Sequence, residues 1–313
     1  FNRWEAFQTL ALNEIKANIQ RFESNEALTL SDPLKAAFKG VMEDKQADQA
    51  LIALTITLPS LTYIGEQYEI VNVDAIYHVH HWLREQLATV NASALLSLYH
   101  VLNERTSIYQ YHKADIAQRM LKNACLSYLS LIPQNNELVK KQFEAQANMT
   151  DVLAALQSIA NSEHPDRSTC LQDFYNKWQA DPLVLDKWFA LQASSHHERT
   201  LEDVKALVQH KDFAYENPNR VRSVLGVFGR MNLLGFHRAD GAGYAFLADE
   251  VMKVDCLNPQ VAARIVTPFT HWQRYDLARQ VQMKAALQTI LAMDGLSKDV
   301  YEIVTKSLAV GSH

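Results

Sequence analysis

The helical period runs through this chain almost without interruption, and that leaves few folds open to it. In DIAQRMLKNACLSYLSLI (115–132), Ile116, Met120, Ala124, Tyr128 and Ile132 recur every four residues. Ala117, Leu121, Cys125 and Leu129 form a second column beside them. Two adjacent columns make a broad apolar stripe, the mark of a helix laid against a core. The same spacing returns in Met283, Leu287, Ile290 and Leu291, and again in Val300, Ile303, Val304 and Leu308. Convincing period-two alternation is missing. LTITLPS (54–60) comes nearest, and it closes an Ala- and Leu-rich helical stretch.

Helix starts are marked by small polar residues and prolines at Ser31-Asp32-Pro33, Asp74, Thr150-Asp151, Thr200, Asn217-Pro218, Asn258-Pro259 and Ser297. Between them the segments predict roughly fifteen helices joined by short polar turns. Serial amphipathic helices form either a globular bundle or an array of helix pairs. The two Asn-Pro starts lie at 217 and 258, a spacing that falls in the period of about 40–47 residues of HEAT-type pairs. The expectation is an all-α, curved array of HEAT-like helix pairs.

A chain of 313 residues, 48% apolar and 21% charged, can bury a large core. No run of about 18 uncharged apolar residues predicts a membrane span. With a net charge of −5 and no Lys/Arg stripe, the chain lacks the electrostatic footprint of a nucleic-acid binder. Cys125, Cys170 and Cys256 are far apart and predict reduced, buried thiols in a cytoplasmic protein. The opening FNRWEAFQTL has no signal-peptide pattern and no initiator Met, and the final Gly311-Ser312-His313 fits a tag remnant. Both ends suggest a fragment.

Residues 217–280 depart from the rest. Seven arginines fall here (Arg220, Arg222, Arg230, Arg238, Arg264, Arg274 and Arg279) against one lysine, Lys253. Arginine in preference to lysine suggests bidentate pairing with carboxylates in partly dry surroundings. Arg220 and Arg222 also follow directly on the helix start at Asn217, where the partial positive charge disfavours cations. Two readings stand. The arginines hold a carboxylate, such as a peptide's tail, near a helix N-terminus; or they pair with acidic residues of neighbouring helices or an adjoining domain.

Independent chemistry is not evident. HVHHWLRE (78–85) places His78 and His81 on one helix face, but no third ligand is spaced to join them, so surface histidines are expected. HHER (196–199) reads as a turn. H-E-x-x-H, G-x-S-x-G, Walker and G-x-G-x-x-G patterns do not occur. Trp4, Trp82, Trp178, Trp188 and Trp272 sit at helical spacing from other apolar residues and are expected in the core.

FNRWEA, IAQRMLKNACL (116–126), KQFEAQANMTDVLAAL (141–156), DKWFALQA (186–193), NPNRVRSVLGVF (217–228), DGAGYAFLAD (240–249), NPQVAARIVTPF (258–269), RYDLARQ (274–280) and LSKDVYEIVTKSLA (296–309) together resemble the C-terminal region of bacterial aminopeptidase N, the zinc alanyl aminopeptidases of the gluzincin class. The resemblance runs the length of the chain. It implies that residues 1–313 form a single helical C-terminal domain, shaped as a superhelical bowl that closes over an active site carried upstream. The zinc, its ligands and the catalytic residues would lie in that upstream domain, leaving no catalytic or metal-binding residue and no cofactor in this chain. Its partners would be the upstream catalytic domain and peptide substrates, with no nucleic acid and no membrane. The residues matching the family's chamber wall are Gln260, near the pocket for the first side chain, and Arg222 and Arg264. GRMNLLGFH (229–237) departs from the small-residue loop expected there. The reading from a different class is a stand-alone helical scaffold that binds a protein partner on its concave face.

Overall fold

A computed structural model describes residues 2–104 and 111–309; the terminal Gly311-Ser312-His313 lies outside them. The described chain is all-α, with nineteen α-helices where the sequence suggested about fifteen. The extra helices are mainly one-turn pieces in the second half, too short for a period to register. The contacts divide the chain into two compact units.

The first unit holds α1 (Asn2–Glu23), α2 (Asp32–Met42), α3 (Gln49–Ile56), α4 (Leu61–Glu66), α5 (Val73–Val90), α6 (Ala92–Asn103), α7 (Lys113–Leu129), α8 (Asn136–Glu144) and α9 (Met149–Ala160). Its helices start where short polar side chains take up free amides. The Ser31 hydroxyl caps α2, and Asp48 accepts from Ala50 and Leu51 to cap α3. The start expected at Thr150-Asp151 lies two residues earlier: Asn148 is the cap, accepting from the Asp151 amide. α1 buries Phe7, Ala11, Ile15 and Ile19, one every four residues, and Phe7 meets Phe38 of α2.

α7 is the axis of this unit and packs on α3, α6 and α9. Its buried face is the column Ala117, Leu121, Cys125 and Leu129, while Ile116, Met120 and Ala124 are only half-buried. The stripe turns toward Gln118 and Lys122 because both find partners inside. Lys122 donates to Asp151 at 2.7 Å and to Asn103 at 3.2 Å. Asn123 and Asn148 donate to the two Asp151 oxygens at 2.9 Å. Gln142 bridges Asn123 and the Asp151 carbonyl, and accepts from the Tyr99 hydroxyl. Burial of this kind is tolerated only when every member is satisfied.

The chain enters the second unit, which takes in Tyr68–Val73 and the residues from Leu171 onward, through α10 (Arg167–Trp178). There follow α11 (Pro182–Ala193), α12 (Thr200–Leu207), α13 (Pro218–Val221), a π-helical turn (Arg222–Gly226), α14 (Val227–Met231) and α15 (Leu233–Phe236). α16 (Ala242–Asp255), α17 (Pro259–Ile265), a 3-10 stretch (Thr267–Arg274), α18 (Leu277–Leu291) and α19 (Lys298–Ala309) complete it. The core here is aromatic: Phe236 lies edge-on to Phe228, Tyr244 and Phe269, at 6.1, 5.1 and 5.4 Å between ring centres. Residues 68–73 are tied in by one parallel bridge, with the Val71 amide donating to Arg274 O.

Several expectations need correction. Only Trp188 and Trp272 are fully buried; Trp4, Trp82 and Trp178 are half-buried. Cys125 and Cys170 are buried, and burial pushes the Cys125 thiol up to about 12, but Cys256 is exposed at the end of α16. The chain turns tightly at 240–244, where Gly241 has φ 73°. At Gly243 a Cβ would run into the carbonyl oxygens of Gly235 and Phe236, so α15 and α16 cross at a contact only glycine permits.

Candidate functional site

The stretch 217–280 sorts its arginines into two kinds. Asn217 caps α13, its side-chain oxygen accepting from the amides of Asn219 and Arg220, and Pro218 fills the first helical position. Arg220 then turns inward. It is 4% exposed, donates through Nε to Asp186 at 2.6 Å and through Nη1 to the Asp212 carbonyl, and lays its guanidinium 4.6 Å from the centre of the Phe189 ring. A cation so close to a helix start is thus neutralised by Asp186 from α11. Arg279 is likewise buried, bonded to Asp276 and to the His237 carbonyl. Arg238 pairs with Asp240 at 2.7 Å and faces Glu202 at 3.5 Å. Arg274 donates to the Tyr68 carbonyl. For Arg220, Arg238 and Arg279 the pairing with acidic residues holds, and Arg274 meets a carbonyl.

The other three face out. Arg222, the first residue of the π-helical turn, is exposed and donates a 3.2 Å hydrogen bond to the Asn219 side chain. Arg264 and Arg230 are exposed and have no ion pair among the described residues. Gln260 and Arg264 are four residues apart on α17 and so share a face; Gln260 is exposed too. The π-helical turn lies against α17. A Cβ at Gly226 would stand 3.7 Å from Arg222 Cβ and 4.0 Å from Ile265 Cγ2, next to Arg264 in sequence. Arg222, Gln260 and Arg264 therefore sit on two adjoining elements, carrying two positive charges with no carboxylate of their own.

Helix N-termini contribute little to this surface. α13 has four residues and α17 seven, and both first turns already give amides to Asn217 and Asn258. Any anion held here would be held by guanidinium groups.

Three features were not visible in the sequence. The π-helical turn is one; such turns are rare and often mark functional sites. The second is Asn232 in GRMNLLGFH. It is buried, donates to the carbonyls of Ala193 and Ser195 at 2.9 and 2.8 Å, and accepts from the Gly235 amide. The third is His237, 5% exposed, which shares a 2.8 Å hydrogen bond with the Tyr244 hydroxyl. Burial, reinforced by Arg279, pulls its pKa down to about 3 and keeps it neutral.

The histidines of α5 are engaged elsewhere. His78 stacks on Phe22, and His81 stacks on Tyr77 and faces Glu85 at 3.2 Å. Among the described residues no three His, Cys, Asp or Glu converge as a metal site would require. No described helix is long and apolar enough to cross a membrane.

A family described as "domain of unknown function (DUF3458_C) ARM repeats" matches residues 1–309. Curated relatives include aminopeptidase N of Escherichia coli (strain K12), 40% identical over 99% of this chain, and aminopeptidase N of Haemophilus influenzae, 38% identical over 98%. The crystal structure of Legionella pneumophila aminopeptidase A in complex with aspartic acid superposes with a TM-score of 0.88 at 29% identity over 99% of this chain. The chain spans 36% and 35% of the two curated relatives and 37% of the solved one.

Proposed function

Because the chain belongs to the DUF3458_C helical-repeat family and corresponds to the C-terminal domain of aminopeptidases N, we propose that it encloses the active site of a longer zinc aminopeptidase, with Arg222, Arg264 and Gln260 turned toward the bound peptide. One observation carries this reading. Arg220, Arg238 and Arg279 are each neutralised by an acidic partner, whereas Arg222 and Arg264, on two adjoining elements, are exposed without one among the described residues. Peptides supply such a group in their C-terminal carboxylate, which a guanidinium meets bidentately. Enclosure strengthens that pairing, since charges attract more strongly where water is excluded. It also converts binding into correct placement of the scissile bond. Gln260 would offer its amide to the first residue of the peptide.

When bound in the upstream domain, zinc would supply the Lewis acid and activated water for hydrolysis. Among the described residues no cluster of His, Cys, Asp or Glu offers it a seat, and the part of this chain would be to hold and orient peptide. The spread of unlinked thiols, with no disulfide among the described residues, supports a reducing, cytoplasmic setting.

The test is a comparison of substrates in the full-length protein. Arg264→Ala should lower kcat/KM for tripeptides and longer by about tenfold, the loss of one charge-assisted contact of about 1.4 kcal/mol. A single-residue amide substrate, which has no carboxylate, should be unaffected. Equal loss on both substrates would sink the carboxylate role.

A further inference from the structure

We propose that the cleft formed by α1, α3 and α4 is the seat on which the polypeptide preceding this region docks, through an apolar side chain flanked by a lysine or arginine. The cleft holds about 520 Å³ and is walled by Trp4 and Leu12 of α1, Leu54 of α3, Leu58 and Pro59 of the turn after it, and Tyr63 of α4. Two of its apolar side chains stand open to solvent, Leu54 at 52% and Tyr63 at 47%, beside the polar Gln8, Thr9, Thr57 and Ser60. α3, QALIALTI, is apolar on every side, burying Ile52, Ala53 and Ile56 while Leu54 faces out. A helix with no polar face is one that expects cover on both.

The walls are fixed in place. The Gln8 amide reaches from α1 to the carbonyls of Thr55 and Thr57 at 3.2 and 2.9 Å, and the Ser60 hydroxyl caps α4 at the Tyr63 amide. A preformed cleft loses little entropy when it is filled. Glu5 also lines it, exposed and without a hydrogen bond or ion pair among the described residues. An apolar floor with one unpaired carboxylate on its wall matches an apolar side chain next to a cation.

The occupant follows from the comparisons. The matched region is about a third of the relatives and is their C-terminal part, so the remainder precedes it. Trp4 lies on α1, the first described helix of the matched region, which is the side from which the relatives' preceding polypeptide is joined. Tethering in one chain holds a docking segment at an effective concentration of about millimolar or more. This inference rests on the chain being one domain of a longer protein, and not on where Arg222 and Arg264 face.

Hydroxyl-radical footprinting read by mass spectrometry tests it, on the 313-residue chain alone and on the full-length protein. Oxidation of Tyr63 should fall several-fold in the full-length protein; equal oxidation would overturn the seat. Protection that instead grows with the concentration of the isolated chain would assign the cleft to a second copy, and also overturns it. Leu54→Asp should leave the melting temperature of the isolated chain unchanged and restore Tyr63 oxidation in the full-length protein. Retained protection in that variant overturns the proposal. The enclosure reading fails separately, if Arg264→Ala affects short and long substrates alike or if the preceding polypeptide carries no peptidase site.

Discussion

The Lys122–Asp151 network in the first unit and the arginine segment 217–280 in the second handle charge in opposite ways. In the first, one cation and one anion are buried together and every oxygen of Asp151 has a donor. In the second, Arg220 and Arg222 are two residues apart, yet one is sealed against Phe189 and Asp186 while the other reaches into solvent. The contrast teaches that an arginine-rich composition is not itself a signal of binding. The signal is what remains after the internal pairs are removed.

The largest expected effect tests the first half of that contrast. Asp151→Ala leaves the Lys122 ammonium buried without its partner and should cost about 3–5 kcal/mol in urea unfolding. The paired change Lys122→Met with Asp151→Leu should recover most of it, as apolar replacements of buried ion pairs often do. Next comes Arg220→Ala, which strips Asp186 and the Asp212 carbonyl of a donor. Asp186 stays 18% exposed and regains some hydration, so the loss should be smaller, about 2–3 kcal/mol.

A third prediction concerns pH. His237 has a folded pKa of about 3 against 6.5 unperturbed. The unfolded chain therefore takes up a proton below about pH 6.5 that the folded chain refuses, and stability falls with pH from there down to about 3. Between pH 7 and pH 5 this one group should cost about 2 kcal/mol. In His237→Gln, where neighbouring Tyr244, Tyr275, Arg279 and Asp276 are kept, that slope should flatten by the same amount, whatever the absolute stability. The smallest effect completes the contrast. Arg222→Ala and Arg264→Ala should each change unfolding free energy by less than about 0.5 kcal/mol. A cost comparable to that of Arg220→Ala would mean that the outward arginines are architectural as well.

Much of the fold was legible because it is local. The period of apolar residues marks α7, α18 and α19, and Ser31, Asn217 and Asn258 cap helices where their neighbouring prolines suggested. What stayed hidden depends on partners far away in sequence. Whether Arg220 or Arg222 turns inward is decided by Asp186, 34 residues before Arg220, and by a carbonyl at Asp212. Gln118 and Lys122 break the apolar stripe of α7 and would be placed outside by pattern alone; Asp151, on α9, brings Lys122 in. Asn232 pins two carbonyls nearly forty residues back. For the site, Arg222, Gln260 and Arg264 were singled out by resemblance, and their lack of acidic partners became visible only in three dimensions.

The π-helical turn at Arg222–Gly226 has a consequence of phase. Ordinary helix advances about 100° per residue, so a turn with one residue to spare lets the segments on either side face in directions that no straight helix could satisfy together. Before it, Arg220 meets Asp186; after it, Phe228 drops into the aromatic core beside Phe236. Removing a single residue from Ser223–Leu225 would restore ordinary winding and force a choice between those two anchors. The exposed bearing of Arg222 is, in this sense, a by-product of gearing: it points outward because its neighbours on both sides have been set to point in.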